Sequence, residues 1–369
     1  DLVTFKRLNP VNAEGHYAIY DKSETIGVAN IYTYNTDIVS VIISDIVTSI
    51  DASAFNGCNK LASININADS NIESIGDRAF FGCGLLSGEL VLPKKLTTLG
   101  GYAFSDCSSL SSLDITKATE LTAIPAYCFR NCTSLNNTLS IPANITTIGD
   151  SAFSHCPFGG GLSIAKDTTN LNIGQNAFEY TNFNCPLDFR KLTNIEKLTI
   201  GYKAFLNSTI SSLFFPEEIQ VFSIDSYAFH GSGIKNGSGN IAPLVIPKYI
   251  TDLPYSCFGG CTLLSIVVLP DETMSYGGDL FNGCSGLTKV TLPCNVPMSS
   301  GMFYGTNIKE LVVTPGLTDL NISTSNTFYS VSDVLNYRLD NSSNSSLKIK
   351  GYMELTKNYS STPWASTLT

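Results

Sequence analysis

Apolar residues along this chain follow two superimposed periods. Over short windows they follow the pattern L-x-x-I-x-I. Examples are Leu61-x-x-Ile64-x-Ile66, Leu110-x-x-Leu113-x-Ile115, Ile210-x-x-Leu213-x-Phe215, Leu263-x-x-Ile266-x-Val268 and Leu287-x-x-Val290-x-Leu292. Some copies carry one extra residue, as in Leu135-x-x-x-Leu139-x-Ile141. The alternation that ends each window has period two, which predicts a short strand with one buried face. Pro93, Pro142, Pro216, Pro247, Pro270 and Pro293 follow these windows. Proline has no N–H for a ladder, so each marks a strand end.

The longer period is set by phenylalanine. Phe55, Phe80, Phe104, Phe129, Phe153, Phe178, Phe205, Phe229, Phe258, Phe281 and Phe303 lie 22 to 29 residues apart and account for eleven of the 20 phenylalanines. We call them anchors. Ala or Cys precedes the first nine, and an aliphatic residue stands five positions upstream of each of those nine, from Ile50 to Leu253. A unit of about 25 residues cannot bury its own apolar face, whereas stacked units bury a continuous core. The expectation is one elongated solenoid in place of the two or three domains that 369 residues would otherwise suggest. Twelve strand windows at about 4.8 Å spacing predict a concave sheet on the order of 50 Å long.

The composite pattern I-x-x-x-A-F-x-x-C-x-x-L-x-x-I-x-I-P resembles the BspA-type leucine-rich repeats of bacterial surface proteins. Ile50 to Ile66 and Leu253 to Pro270 carry it most fully, and it extends over roughly residues 38–315. The resemblance implies an α/β-type leucine-rich repeat solenoid. Such a solenoid is a curved right-handed stack with a parallel concave β-sheet and short helical or 3-10 turns on the convex side. It also implies secretion or surface attachment and a role in adhesion or protein binding.

The ends depart from the repeat. Residues 1–37 are read as an N-terminal cap, with 16–34 as a hairpin closing the first rung before Ile38-x-x-Val41-x-Ile43. Residues 38–315 form the solenoid of 11 or 12 repeats, and 316–369 a degenerate last repeat and C-terminal cap. Tyr359 and Trp364 would cover the last rung, because an open stack exposes apolar core.

Composition narrows the function. Lys and Arg number 22 against 31 Asp and Glu, a net charge of −9, with no basic block. Nucleic acid and anionic membranes are therefore poor partners. No apolar run is long enough to span a bilayer, so any lipid or cell-wall anchor lies beyond this chain. The chain begins at Asp1 without Met, as expected of a processed form whose signal sequence has been removed. Localisation is read as extracellular or cell-surface.

Of the 11 cysteines, seven stand three residues after an anchor: Cys58, Cys83, Cys107, Cys132, Cys156, Cys261 and Cys284. Thr181, Ser208, Ser232 and Thr306 take that place in other repeats. Cys, Ser and Thr share a small side chain with one donor, so the position reads as a buried donor meeting a backbone carbonyl. Ser and Thr cannot replace a half-cystine, which argues against disulfides. Cys128-x₃-Cys132 and Cys257-x₃-Cys261 lie too many repeats apart to converge on a metal.

No reaction is legible. His16, His155 and His230 are the only histidines and fall on distant rungs. No nucleophile elbow, metalloprotease helix or phosphate loop is present, and Gly159-Gly160-Gly161 reads as a tight turn before Leu162. The expectation is a non-enzymatic protein without catalytic residues, metal or cofactor.

The residue between the last two aliphatics of each window points away from the core. That column runs Ile42, Asn65, Val91, Asp114, Ser140, Ser163, Asp188, Phe214, Val245, Val267, Thr291, Val312. Asn65 to Asp188 is mostly polar and Phe214 to Val312 mostly apolar. Contiguous exposed apolar surface marks interaction sites. Phe214, Val245, Val267 and Val312 are therefore the candidate binding residues. The insertion Lys235–Pro243 is a second candidate loop. The partner class is a host or matrix protein, or a glycan, bound in adhesion to host or neighbouring cells. The alternative is a structural spacer or display module with no ligand of its own.

Overall fold

The computed structural model describes residues 38–43, 45, 47–270, 275–292 and 299–313, and the strands 9–10, 16–19, 25–26, 319–322, 336–339 and 348–351. Tyr359, Trp364 and Cys294 lie outside the described residues. The chain divides into two compact units, Asp1–Asn184 and Cys185–Thr369. Within each, successive coils stack in register as a parallel β-solenoid with the leucine-rich repeat layout.

Each coil contributes two short strands. The L-x-x-I-x-I window gives the first. Leu139 pairs with Leu162 and Ile141 with Ile164 in one unit, and Leu187 with Leu213 in the other. The aliphatic residue five before each anchor gives the second. Ile50 pairs with Ile75, Ile75 with Leu99, and Ile124 with Ile148. This second sheet was not expected, because a two-residue strand is too short for periodicity to reveal it.

The anchor segments are turns, where the resemblance implied helical ones. The residues two before and two after every anchor adopt positive φ. Ser53 and Gly57 flank Phe55, Tyr102 and Asp106 flank Phe104, and Gly301 and Gly305 flank Phe303. A helix needs a longer run of right-handed residues, so left-handed residues at this spacing forbid one. Main-chain donors then alternate. Ser53, Phe55 and Gly57 N–H donate to Asp77, Ala79 and Phe81 carbonyls of the next coil at 2.6–2.8 Å. Ala54, Asn56 and Cys58 N–H close turns onto Asp51, Ser53 and Phe55. The only helical segment among the described residues is a 3-10 turn, Phe189–Lys191, and no helix there is long and apolar enough to cross a membrane.

Anchor rings fill the space behind these turns. Phe55, Phe80, Phe104, Phe129, Phe153 and Phe178 form one run of parallel rings, with neighbouring centroids 5.0–5.5 Å apart. Phe205, Phe229, Phe258, Phe281 and Phe303 form another at 5.1–5.7 Å. All are fully buried.

The cysteine ladder donates as expected. Cys83, Cys107, Cys132, Cys156, Cys261 and Cys284 thiols each donate to the anchor carbonyl of the preceding coil at 3.0–3.2 Å. Ser208, Ser232 and Thr306 donate to the anchor carbonyl of their own coil at 2.6–2.9 Å. The carbonyl has two lone pairs, and the second takes the turn N–H. Nine of the described cysteines, the seven of the ladder with Cys128 and Cys257, are free thiols.

Coil spacing is fixed by glycine four residues before most anchors. An added Cβ at Gly76, Gly100, Gly149 or Gly277 would lie 2.2–2.5 Å from a backbone nitrogen of the preceding coil. The same glycines donate N–H to the preceding strand: Gly76 to Ile50, Gly100 to Ile75, Gly149 to Ile124, Gly277 to Leu253, at 2.7–2.8 Å. Pro125 and Pro254 replace them in two coils. Proline brings a ring and no N–H. The second sheet is interrupted at these two places, between 98–99 and 123–124 and between 221–224 and 252–253.

The first sheet has its own interruptions, and asparagine bridges two of them. Asn137 accepts from Leu113 N–H and donates to Leu113 carbonyl, which accommodates the extra residue of that repeat. Asn236, buried within the Lys235–Pro243 insertion, does the same to Leu213 at 2.8 and 3.0 Å. A carboxamide carries the donor and acceptor of a peptide group, so it substitutes for the missing strand. The insertion is thus tied into the stack at its second residue.

The N-terminal hairpin expected over 16–34 is replaced by coil-like pairing. His16–Ile19 lies parallel to 40–43, and Thr25–Ile26 lies parallel to 49–50. The antiparallel partner of 16–19 is upstream, at 9–10. The strand 336–339 pairs in parallel with 310–313, so the first sheet continues past residue 315.

Phe129→Ala should remove one ring from the middle of its stack at a cost of about 3–5 kcal/mol. Hydrogen exchange should accelerate most in the coils holding Phe104 and Phe153, because coil energetics are nearest-neighbour. Uniform acceleration through the chain would contradict a one-dimensional stack. Burial also pushes the Cys58 thiol up to about 11 and Cys107 to about 12, from an ordinary 9.0. A thiol raised in the folded state adds stability that is full below its unfolded pKa and lost as pH climbs to the folded value. The urea midpoint should therefore fall between about pH 9 and about pH 11; a flat midpoint there would refute the buried ladder.

Candidate functional site

Within the C-terminal unit, the outward positions of the first sheet line up across neighbouring strands. Asp188 stands opposite Phe214. Val245 stands opposite Val268, Val268 opposite Thr291, and Thr291 opposite Val312. Val245 is 52% exposed, and Phe214, Val268, Thr291 and Val312 are half-buried.

Val267 does not belong to this row. It is fully buried and pairs with Leu244 and Val290, both core residues. The window there is Leu264-x-x-Val267-x-Leu269, one residue later than the alternation suggested, and Leu263 is 49% exposed. Every residue from Ile266 to Leu269 is aliphatic, so alternation cannot choose a register. Distance from the anchor can. Leu264, Val267 and Leu269 stand six, nine and eleven residues after Phe258, as Leu61, Ile64 and Ile66 do after Phe55. Val268 replaces Val267 on the outward face.

A second outward column lies beside the first. Ile266 stands opposite Lys289, and Lys289 opposite Glu310. Lys289 and Glu310 form an ion pair at 2.9 Å. The apolar strip of Val245 and Val268 is thus edged by paired charges.

Phe214 faces outward but is not bare. Arg190 lies over its ring, 3.9 Å from the centroid. Asp188 fixes that arginine with two bonds of 2.8 Å, to Nε and an NH₂ nitrogen, and also accepts the Arg190 N–H at 3.1 Å. The 3-10 turn Phe189–Lys191 swings Arg190 back over the strand. The Arg190 hydrogen bond holds the Asp188 carboxyl below its ordinary value, and Asp188 in turn raises the guanidinium. A fork on a carboxylate and a ring under its face is the geometry in which arginine outperforms lysine. Arg190 escaped sequence reasoning because it stands after the strand and nothing in the repeat marks its direction.

The outward row of the N-terminal unit is mostly polar, and two of its polar residues serve the backbone. Asn65 bonds both Ile43 N–H and carbonyl. Asp114 caps a local turn through Thr116 N–H and hydroxyl. Ser163 is exposed and Ser140 half-buried. Ile42 is the exposed apolar residue here, at 49%.

The histidines do not converge. His155, in a left-handed turn position, contacts Tyr180 and Ser154. His230 bonds Ser256 at 3.0 Å, and burial lowers its pKa. Among the described residues no three His, Cys, Asp or Glu side chains gather to hold a metal ion.

Stacked two-strand coils, anchor-filled turns and a broad sheet face define the leucine-rich repeat class. The chain matches the model of the BspA type leucine rich repeat region, in six copies, over residues 28–159, 64–185, 115–235 and 198–334, and it belongs to that family. It is similar in structure to a leucine-rich repeat protein from Bacteroides ovatus, with 16% identity, 88% of this chain and 94% of that chain covered, and a TM-score of 0.52. It is also similar to the pneumococcal vaccine antigen PcpA, with 18% identity, 88% and 80% covered, and a TM-score of 0.50. At these identities the likeness concerns the fold. Among curated proteins none matches the chain in sequence.

Val268→Asp should leave the fold intact, whereas Val267→Asp should disrupt its coil, because it buries an unpaired carboxylate. Circular dichroism melting of the two variants checks the register; the reverse outcome would overturn it.

Proposed function

We propose that this chain is a non-enzymatic binding protein, secreted or displayed at a bacterial cell surface, which adheres through the outward face of its C-terminal first sheet. The observation that carries the reading is the in-register row Val245, Val268, Thr291, Val312, with Phe214 outward on the strand before the interruption. It is largely apolar, whereas the equivalent row of the N-terminal unit is mostly polar. An exposed apolar strip bordered by polar and charged groups has the make-up of a protein interface, with Phe214 and Arg190 as residue types enriched at hot spots. A protein ligand suits this strip better than a glycan. Membership of the BspA-type family and the likeness to a vaccine antigen support the surface setting.

A spacer would need no such strip, and Arg190 over Phe214 is the one contact that favours it, because it already covers the largest ring of the row.

The test uses the full chain on a panel of purified extracellular-matrix proteins and mucin glycans. Val268→Asp and Phe214→Asp should each weaken capture of a protein ligand at least about tenfold, since a buried unpaired carboxylate costs more than 1.4 kcal/mol. Ser140→Asp, on the polar row, should not. Equal capture by all variants would place binding away from this strip and overturn the site; no capture by any, the parent included, leaves the spacer reading standing.

A further inference from the structure

Both sheets are interrupted at the junction between the coils anchored by Phe229 and Phe258. The first sheet is interrupted between 212–214 and 244–245, and the second between 221–224 and 252–253. The turn side remains closed, with Tyr227, Phe229 and Gly231 N–H donating to Tyr255, Cys257 and Gly259 carbonyls at 2.7–3.1 Å. On the first-sheet side Asn236 fills the opening. On the other side Tyr249 reaches across to the Pro216 carbonyl at 2.8 Å. A cavity of about 100 Å³ remains, lined by Phe222, Ser223, Ile224, Ile250, Thr251 and Asp252.

The chemistry of that lining is one-sided. In equivalent junctions the second-strand carbonyl accepts an N–H from the residue four before the next anchor. Here that residue is Pro254, which has none to give, and the Ile224 carbonyl loses its ladder donor. Asp252 adds an exposed carboxylate, and Ser223 and Thr251 add hydroxyls. The lining holds no cationic side chain, and the Phe222 ring packs edge-on against Phe215 and Tyr249. A carbonyl without its donor next to a carboxylate calls for a donor that carries positive charge. One carboxylate is too few for a hard divalent cation, which takes six or more oxygen ligands. An ammonium is compact and has three donors, enough for the carboxylate, the carbonyl and a hydroxyl.

We propose that this wedge is a socket for a primary ammonium group, namely a lysine side chain of a partner protein. It lies on the second sheet, so it stands or falls apart from the outward row of the first. The socket exists because Pro254 keeps two coils from closing.

The full chain, labelled with ¹⁵N, is titrated with Nα-acetyl-lysine N-methylamide. Amide shifts should move at residues 221–225 and 250–253, and the Nε-acetylated analogue should move none of them. Pro254→Gly restores the residue most other coils carry; it should close the ladder and abolish the shifts. Asp252→Asn, an exposed and isosteric change, should weaken binding at least about tenfold. Three results would overturn the socket: no shifts in the parent, equal shifts with the acetylated analogue, or undiminished binding in Pro254→Gly and Asp252→Asn. Potassium chloride reproducing and saturating the same shifts would assign the wedge to a metal cation and would equally overturn the proposal.

Discussion

The constraint on which this structure rests is that each coil must offer the next one the same donors and acceptors at the same heights. A globular core can absorb a misplaced residue by repacking. A stack cannot, because each backbone group at an interface has one partner, directly above or below it. The anchor segment satisfies this by alternating its N–H groups between the next coil and its own turn. That alternation requires left-handed residues on both sides of the anchor, and it is met even by Tyr102, Arg78 and Lys203, which disfavour the conformation. Interactions between coils over-determine the backbone strongly enough to hold them there.

Departures from the rule are repaired locally with whatever carries the missing group. Asn137 and Asn236 present a carboxamide where a strand has slipped. The thiols and hydroxyls of the ladder occupy the second lone pair of most anchor carbonyls. Cysteine sulfur reaches the preceding coil, while the shorter hydroxyls of Ser208, Ser232 and Thr306 turn back to their own. Thr181 shows that geometry is not dictated by element alone, since its hydroxyl reaches Phe153 in the preceding coil.

What the sequence made legible follows the same logic. The anchors, the buried ladder and the first-sheet windows each rest on a residue type repeated in register, so they could be read by counting. The second sheet could not, because only its inward aliphatic recurs while its neighbours vary. The left-handed positions were half visible. Glycine marks the one after the anchor at Gly57, Gly82, Gly231, Gly260, Gly283 and Gly305, but the one before it holds Ser, Arg, Tyr, Asn and Lys without a common signal. Val267 was misplaced because four aliphatic residues in a row defeat alternation, whereas the anchor spacing still held the answer. Of the candidate site, the apolar row was legible and the arginine lying on it was not.

The two prolines show why the same local defect has different consequences. Pro125 and Pro254 both interrupt the second sheet, and in both coils Cys replaces Ala before the anchor, as Cys128 and Cys257. At Pro125 the first sheet is intact, with Leu90 opposite Leu113 and Val91 opposite Asp114, so two of the three sides still clamp the coils together. At Pro254 the longer repeat, with its insertion, has also interrupted the first sheet, and the coils are held there by the turn side together with Asn236, Lys235 and Gly233, which bond Leu213, Ser211 and Ser208. A regular ladder holds two coils at one spacing along its length, whereas separate bridges leave room between them. The cavity lies where both lesions fall in one junction.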